Sequence, residues 1–317
     1  MRILVTGSSG WLGRFLVPNL RQAGHHLLGL DSRPGPTTTL VASITDHGLT
    51  HLLASEEIDA VVHAAALHKP DIARRPASDF VAVNVQGTLR LLEAAVAAGV
   101  GRFVFTSTTS LMIGDALHGA REGGAERAAW VDEDLAPLEP RNIYGVSKLA
   151  AEHLCRMTFQ ERGLPVVVLR TGRFFPEADD MAHAIPHSDA NTKANEFLFR
   201  RLTVEDAVEA HVAALEQAPE IGFDRFIVAA PTPFRPEDCG QLIVDAPAVV
   251  ARYFPEFPEL YRRCGWTMFS SIDRVYSAAR AETRLGYRCR TGFAQVLAAL
   301  ADGGINPPWD APQPPSP

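Results

Sequence analysis

The segment that decides the fold is residues 2–13, RILVTGSSGWLG, in which a short apolar run is followed at once by glycines at positions 7, 10 and 13. Apolar residues then recur with helical spacing at Phe15-Leu16-Val17 and Leu20. The pattern predicts a strand, a tight turn and a helix. Glycine is needed where the turn is tight and where the backbone must approach a pyrophosphate, which binds N–H groups at a helix N-terminus. The segment therefore indicates a dinucleotide-binding turn.

An acidic residue follows the second predicted strand, residues 27–30, at Asp31. A carboxylate in this position accepts hydrogen bonds from ribose hydroxyls and repels a 2′-phosphate, which favours NAD over NADP. Arg33 keeps NADP open as the less favoured cofactor, because a nearby arginine can accommodate that phosphate.

Strand-like and helix-like segments alternate over the following residues. Strands are predicted at 40–44, 59–63 and 102–105, and helices at 46–54 and 77–98. This alternation, without long loops, is typical of a parallel sheet covered by helices on both faces. We therefore expect an α/β fold with a doubly wound parallel sheet. Further on, a helix is expected to open at Thr203 with an acidic first turn, and others near 273–285 and 291–301.

A tyrosine and a lysine stand four positions apart in residues 144–148, YGVSK, at the start of a predicted helix. Residues at this spacing share one helix face. A free tyrosine has a pKa of about 10, and a cation held beside it favours the phenolate. Tyr144 is therefore a candidate general acid/base, with Lys148 as the cation. The same spacing occurs by chance on surface helices, so the prediction depends on the upstream dinucleotide turn.

Composition excludes several other classes of protein. The chain has 317 residues, 46% of them hydrophobic and 21% charged, with a net charge of −7 and no block of like charges, so nucleic-acid binding is not expected. No apolar run approaches the length of a membrane span, and the first apolar segment is too short for a signal peptide. A cytoplasmic enzyme is expected.

Metal sites and disulfides are not expected either. The cysteines (Cys155, Cys239, Cys264 and Cys289) show no C-x-x-C spacing. His183 and His187 are four apart, but Pro186 breaks the helix that would bring them onto one face. We therefore predict no metal ion.

In their order and spacing, these motifs resemble the extended short-chain dehydrogenases/reductases of the NAD-dependent epimerase/dehydratase family. The resemblance implies a Rossmann-like sheet that binds NAD across its switch point, hydride transfer at a secondary hydroxyl of a sugar or nucleotide sugar, and a homodimer. The matching residues are 6–13 (TGSSGWLG), Asp31, His63-Ala64-Ala65, Asn84 with Gly87-Thr88, Ser107-Thr108, Tyr144 with Lys148, Arg170, Val204-Glu205-Asp206 and Leu285-Gly286-Tyr287.

The resemblance also implies the site residues. Thr108, Tyr144 and Lys148 are expected to be catalytic, with Thr108 orienting the reacting oxygen, although the hydroxyls of Ser107, Thr109 and Ser110 leave that choice open. We expect His68, Thr109 and Arg173 to contact the substrate. The expected cofactor-binding residues are Gly7, Ser9, Gly10, Trp11, Leu12, Gly13, Asp31, Ile44, His63, Ala64, Ala65, Asn84, Tyr144 and Lys148.

Two departures from the family pattern concern recognition. Many relatives have an Asp-Ile pair whose acid contacts the adenine, whereas this chain has Ser43-Ile44. After Arg170, epimerases commonly continue Asn-x-Tyr-Gly-Pro, whereas this chain reads TGRFFP at residues 171–176. The Arg173 guanidinium could bind a substrate carboxylate bidentately, or form only a surface salt bridge.

Three outcomes of the reaction stay open: an epimerase that returns the hydride, a net dehydrogenase that resembles the uronate dehydrogenases, and a non-catalytic NAD(P)-binding sensor. Dehydration is disfavoured because Thr109-Ser110 replaces the usual Asp-Glu pair. We expect a nucleotide-binding domain at 1–170 with parts of 203–230, and a substrate lobe at 171–202 and 231–305. A disordered tail is expected at 306–317.

Overall fold

The computed structural model of the protein describes residues 1–114, 126–174 and 187–303. Within these ranges, seven strands pair in parallel as one sheet, in the order β3-β2-β1-β4-β5-β7-β8. A separate parallel pair joins β6 to β9. The strands are β1 Arg2–Thr6, β2 His26–Asp31, β3 Leu40–Val41, β4 Ala60–His63, β5 Arg102–Thr108, β6 Ala129–Val131, β7 Val166–Thr171, β8 Phe223–Val228 and β9 Arg274–Tyr276.

Helices connect these strands. One long helical segment contains α3, a π-helical stretch at Val81–Gly87, and α4. A second π-helical turn lies at Ala281–Leu285. The α-helices are α1 Trp11–Gln22, α2 Leu49–Ser55, α3 Ala77–Phe80, α4 Thr88–Ala97, α5 Ile143–Arg162, α6 Asp189–Glu196, α7 Val204–Ile221, α8 Cys239–Val244, α9 Ala246–Tyr253, α10 Phe257–Cys264 and α11 Phe293–Ala301.

Both faces of the sheet are buried under helices. Strand β4 and strand β7 are buried at every position, as expected for parallel strands that read as continuous apolar runs. Apolar residues of α1 and α7 form the core on one face, and those of α2, α4 and α5 form it on the other. The predicted doubly wound α/β fold is confirmed.

The strand order reverses between β1 and β4, which are neighbours in the sheet. From β1 the chain proceeds to β2 and β3 on one side, and from β4 to β5, β7 and β8 on the other. In open α/β sheets, ligands bind in the crevice at the carboxyl ends of the strands at such a reversal. The fold therefore places the candidate site there.

One local prediction was wrong. The helix predicted near 273–285 begins instead as strand β9, because Arg274–Tyr276 pairs with Ala129–Val131. That partner lies more than a hundred residues earlier in the sequence, so local periodicity could not reveal it. Of the predicted helix, only residues 279–285 are helical, including the π-helical turn Ala281–Leu285. The predicted N-cap at Thr203 is present, since its hydroxyl accepts the Asp206 N–H.

One helical segment, Ala77–Ala97, is long and apolar enough by length and composition to cross a membrane. The same test is passed by core helices of ordinary globular proteins. Here Leu91, Leu92, Ala94 and Ala95 are buried in the core under the sheet. Packing against the sheet therefore accounts for the apolar character of this helix.

Candidate active site

A cavity of about 1110 Å³ opens at the carboxyl ends of the central strands. Residues at or just after the ends of five strands line it, namely Gly7, Asp31, Ala64, Thr108 and Thr171. The cavity therefore lies at the strand-order reversal, where the fold predicts a ligand.

Most of the residues predicted from the sequence meet in this cavity. The predicted catalytic residue Thr108 and the three predicted substrate residues (His68, Thr109 and Arg173) line it. Among the predicted cofactor residues, those that line it are Gly7, Gly10, Trp11, Leu12, Asp31, Ile44, Ala64, Ala65, Tyr144 and Lys148. Four others, Ser9, Gly13, His63 and Asn84, are not among the residues that line it, and their direct contact with a cofactor stays a prediction.

The glycine turn is held tightly against its neighbours. Gly7 has a positive φ of 75°, and a Cβ there would lie 2.7 Å from the Ala65 nitrogen. A Cβ at Gly13 would lie 2.4 Å from the Gly7 oxygen. Helix α1 begins at Trp11 on the cavity wall, so the N–H groups of its first turn lie at the edge of the cavity. This arrangement fits the pyrophosphate of a dinucleotide.

The carboxylate of Asp31 is fixed by two backbone N–H groups. Oδ2 accepts from Ser9 at 3.0 Å and Oδ1 accepts from Arg33 at 2.9 Å. Asp31 is buried but still lines the cavity. Each carboxylate oxygen has a second lone pair, so the group can also accept hydrogen bonds from ribose hydroxyls.

The side chain of Asn84 joins two walls of the site. It lies in the π-helical stretch, where Oδ1 accepts the Leu67 N–H at 2.8 Å and Nδ2 donates to the Leu67 oxygen at 3.0 Å. Nδ2 also donates to Ser147 Oγ at 3.0 Å. Asn84 thus ties the cavity-lining loop at Leu67 to the helix that carries Lys148. Single π-helical turns often mark functional sites.

Behind that loop lies His63, which is fully buried. Its Nδ1 is 2.7 Å from Thr6 Oγ1, and its Nε2 is 2.9 Å from Thr88 Oγ1. Because the Thr88 hydroxyl donates to the Asn84 carbonyl, the proton must be on Nε2 of the imidazole. Burial and then the charge of Lys148 lower the pKa of His63 to about 3. His63 is therefore a neutral support for the loop.

Tyr144 and Lys148 lie in the first turns of α5. The helix is capped by Asn142, whose Oδ1 accepts the Gly145 N–H at 3.0 Å. Lys148 Nζ donates to the Thr106 carbonyl at 2.6 Å and lies 4.0 Å from the centre of the Phe105 ring. Burial lowers the pKa of Lys148 to about 7. The positive charge beside Tyr144 is therefore present at lower pH and lost as pH rises through this value.

The hydroxyls at the end of β5 differ in their partners. Ser107 Oγ donates to Glu152 at 2.6 Å, and Thr109 Oγ1 donates to the Thr171 carbonyl at 3.3 Å. Thr108 Oγ1 accepts the Ser110 N–H at 3.1 Å, and within the described ranges its own O–H meets no acceptor. Thr108 is therefore the strand-end threonine best able to donate to a substrate oxygen.

A buried ion pair supports this strand end from behind. Arg170 and Glu152 are 0% and 3% exposed, and Arg170 Nη2 lies 2.7 Å from Glu152 Oε2. Arg170 Nε also donates to both carboxylate oxygens, at 3.0 and 3.2 Å. With the Ser107 hydroxyl, the pair links β5, α5 and β7 directly below Thr108.

His68 lies beside Tyr144, the predicted general acid/base, with the two ring centres 5.8 Å apart. Burial, followed by the charge of Lys148, lowers the pKa of His68 to about 4, although Asp71 opposes the shift. The imidazole is therefore neutral near pH 7 and can accept or donate a hydrogen bond inside the cavity.

Arg173 lines the cavity next to a buried charge cluster that the sequence did not reveal. Its Nε lies 3.7 Å from Glu196, which also pairs with Arg200 at 2.5 Å and Arg201 at 2.8 Å. Although burial raises the pKa of Glu196, the three arginines together lower it to about 2. The side chain of Arg173 is 29% exposed, whereas that of Glu196 is fully buried. The only sequence signal was the Arg200-Arg201 pair.

Some predictions fall outside the described residues, namely those on His183, on residues 175–177 and on the tail from 306. His187 is described, and its Nδ1 lies 2.8 Å from Thr267 Oγ1. Among the described residues, no group of three or more His, Cys, Asp or Glu side chains could hold a metal ion.

Sequence comparison shows which known proteins this chain resembles. The model of the NAD dependent epimerase/dehydratase family matches residues 3–228. A Bacillus subtilis (strain 168) protein named "Uncharacterized UDP-glucose epimerase YtcB" is 33% identical over 190 residues, which is 54% of this chain and 55% of that protein. The chain thus spans only about half the length of that relative. The UDP-glucose 4-epimerase of Mycolicibacterium smegmatis is 28% identical, covering 95% of this chain and 98% of its own length.

Solved structures show the same fold. The UDP-glucuronic acid 4-epimerase of Bacillus cereus, solved in complex with UDP-glucuronic acid and NAD, superposes with a TM-score of 0.63 at 22% identity. The match covers 95% of this chain and 98% of that one. At this identity the likeness supports the architecture alone.

Proposed function

Since the chain belongs to the NAD dependent epimerase/dehydratase family, we propose that it binds NAD and oxidises a secondary hydroxyl of a sugar or nucleotide sugar. The predicted family and enzyme class are confirmed by the family match. In an epimerase the oxidised sugar is reduced again at the same carbon, whereas in a dehydrogenase it leaves. The YtcB and Mycolicibacterium relatives are both named as UDP-glucose epimerases, which supports the first outcome.

The observation that carries the proposal is the meeting of Tyr144, Lys148 and Thr108 in one cavity with the glycine turn. Tyr144 takes the proton from the sugar hydroxyl, and the Lys148 ammonium favours the phenolate form. Thr108 donates a hydrogen bond that orients the sugar oxygen. NAD bound in this cavity would supply the acceptor for the hydride of the carbinol carbon. A non-catalytic sensor would need the glycine turn but not these three groups.

A substrate panel tests the proposal. Sugars, sugar acids and nucleotide sugars are incubated with enzyme and NAD, and both NADH absorbance and product stereochemistry are followed. An epimer without net NADH supports the epimerase outcome, and stoichiometric NADH supports the dehydrogenase. Failure of every sugar to give either product would reject the proposal.

NAD is expected to stabilise the protein more than NADP, because Asp31 repels a 2′-phosphate. A ligand stabilises the folded state by mass action, by about 2.7 kcal/mol at a hundredfold excess over Kd. At equal concentrations, NAD should therefore raise the Tm further than NADP. A larger shift with NADP would overturn this preference and would implicate Arg33.

Arg173 is proposed to bind a negatively charged group of the substrate. The change Arg173→Lys should then raise KM for an acidic sugar by roughly tenfold, since a charge-assisted bidentate contact is lost. The kcat should change little, because the contact is made equally before and during the reaction. KM for a neutral sugar serves as the internal control. An unchanged KM for an acidic substrate would remove Arg173 from recognition.

We propose further that residues 171–202 and 231–305 form the substrate lobe, and that the protein is a cytoplasmic homodimer. A separate apolar cluster that includes Phe197, Leu242 and Leu297 supports a lobe with its own core. Val81 and Val146, on the long helical segment and α5, are 42% and 47% exposed, which supports a partner on that face. Light scattering coupled to size exclusion tests the dimer, and a monomer at all concentrations would reject it.

A further inference from the structure

Two segments meet at Asp31, where the adenosine part of the cofactor is expected to bind. One is the glycine turn with Ser8 and Ser9, and the other is the loop 33–39 that follows β2. Thr37 Oγ1 donates to the Ser8 carbonyl at 2.6 Å, and Asp31 itself accepts N–H groups from both segments. The loop is therefore fastened directly onto the turn.

A directed chain of hydroxyls completes this fastening. Ser9 Oγ donates to the Arg33 carbonyl at 2.8 Å, because a carbonyl can only accept. Ser9 Oγ, 2.6 Å from Thr38 Oγ1, must then accept the Thr38 hydrogen. Thr38 in turn accepts from Ser8 Oγ at 2.7 Å. The donor order is fixed as Ser8, Thr38, Ser9 and the Arg33 carbonyl.

Hydrogen bonds hold the backbone of Arg33 on both sides. Its N–H donates to Asp31 at 2.9 Å and its carbonyl accepts from Ser9. The Arg33 side chain is exposed and lines the cavity together with Asp31. These two bonds fix the backbone from which the Arg33 side chain extends, with the Asp31 carboxylate held between loop and turn.

We propose that Ser8, Ser9, Thr38 and the Arg33 carbonyl form a hydroxyl lock that determines cofactor selectivity. The inference rests on the proposed function, in that the cavity binds a nicotinamide dinucleotide. While the lock is closed, the Arg33 backbone is held beside the fixed Asp31 carboxylate, which repels a 2′-phosphate. Opening the lock releases that backbone, so that the guanidinium can approach the 2′-phosphate. Selectivity for NAD then depends on the rigidity of the loop as well as on the acidic residue.

The test measures Kd for NADH and NADPH by their fluorescence on binding. Thr38→Val removes the central hydroxyl at nearly constant volume, and Thr38 does not line the cavity. We expect the ratio Kd(NADPH)/Kd(NADH) to fall about three- to tenfold, the factor that corresponds to one hydrogen bond. Adding Arg33→Ala in the same protein should return the ratio towards the wild-type value, because the freed guanidinium is gone.

Thr39→Val is the matched control. Its Oγ1 accepts the Gly29 N–H at 3.2 Å in the same loop but takes no part in the lock, so the ratio should not move. If circular dichroism shows that Thr38→Val is unfolded, Ser9→Ala serves as a second variant that breaks the lock. An unchanged ratio in a folded Thr38→Val protein overturns the inference, as does a fall that persists after Arg33→Ala. Absence of any nucleotide binding by the wild type would instead reject the proposed function.

Discussion

The change Tyr144→Phe should lower kcat by about 10²–10⁴-fold, the range typical of a lost general acid/base. The phenol is 7% exposed and lies in the cavity, so the substitution removes the proton carrier while the ring keeps its packing against His68. Nucleotide affinity should stay nearly constant. The measurement is steady-state turnover of the best substrate from the panel, with NADH binding titrated in parallel.

Tyr253→Phe is the control for this substitution. Tyr253 also uses its hydroxyl, which donates to Asp238 at 2.6 Å, but it does not line the cavity. The kcat of Tyr253→Phe should match that of the wild type. Turnover retained by Tyr144→Phe at more than a tenth of the wild-type rate would move the proton transfer to another group, with His68 next in position.

The second large effect is expected in stability. Arg170→Met should lower the free energy of unfolding by about 3–5 kcal/mol, because it leaves the buried Glu152 carboxylate without its cation. Arg170 is 0% exposed, and its Nε and Nη2 both donate to the Glu152 carboxylate. Urea unfolding followed by circular dichroism measures the change. Loss of this pair should also loosen Ser107, so activity should fall in the same variant.

Replacing both partners distinguishes a buried charge from lost packing. The double variant Glu152→Met/Arg170→Met should be more stable than Arg170→Met alone, because no unpaired charge remains. Arg262→Met is the surface control. Arg262 pairs with Glu259, and both side chains are largely exposed. The urea midpoint of Arg262→Met should therefore stay close to that of the wild type. A double variant less stable than the single one would contradict the argument.

The parts of the site that depend on short stretches of sequence could be predicted. The glycine turn, Asp31 and the Tyr144–Lys148 pair each follow from spacing within one strand, turn or helix. Parts that depend on distant segments could not. The Thr106 carbonyl that accepts from Lys148 and the Glu196 carboxylate beside Arg173 are brought in by other elements. Neither has a local pattern that marks it.

Asn84 and His63 show a further limit of sequence reasoning. Both were expected near the cofactor, which stays a prediction, but the sequence did not reveal their partners, since the Asn84 amide bonds to Leu67 and the His63 imidazole to Thr6 and Thr88. A motif can reveal that a polar residue matters, but its hydrogen-bond partner decides whether it contacts a ligand or holds a loop. That partner depends on tertiary contacts.

The pairing of β6 with β9 limits how this chain can be re-engineered. Strand β6 lies within residues 3–228, which the family model matches, but β9 lies beyond them. The Tyr276 N–H donates to the Phe199 carbonyl, and the N–H groups of Arg290 and Thr291 donate to Asp206. A fragment cut after β8 would therefore leave an unpaired strand and uncovered apolar surface, which favours aggregation. Chimeras that seek a new substrate should exchange loops around the cavity and keep residues 229–303 with their own sheet.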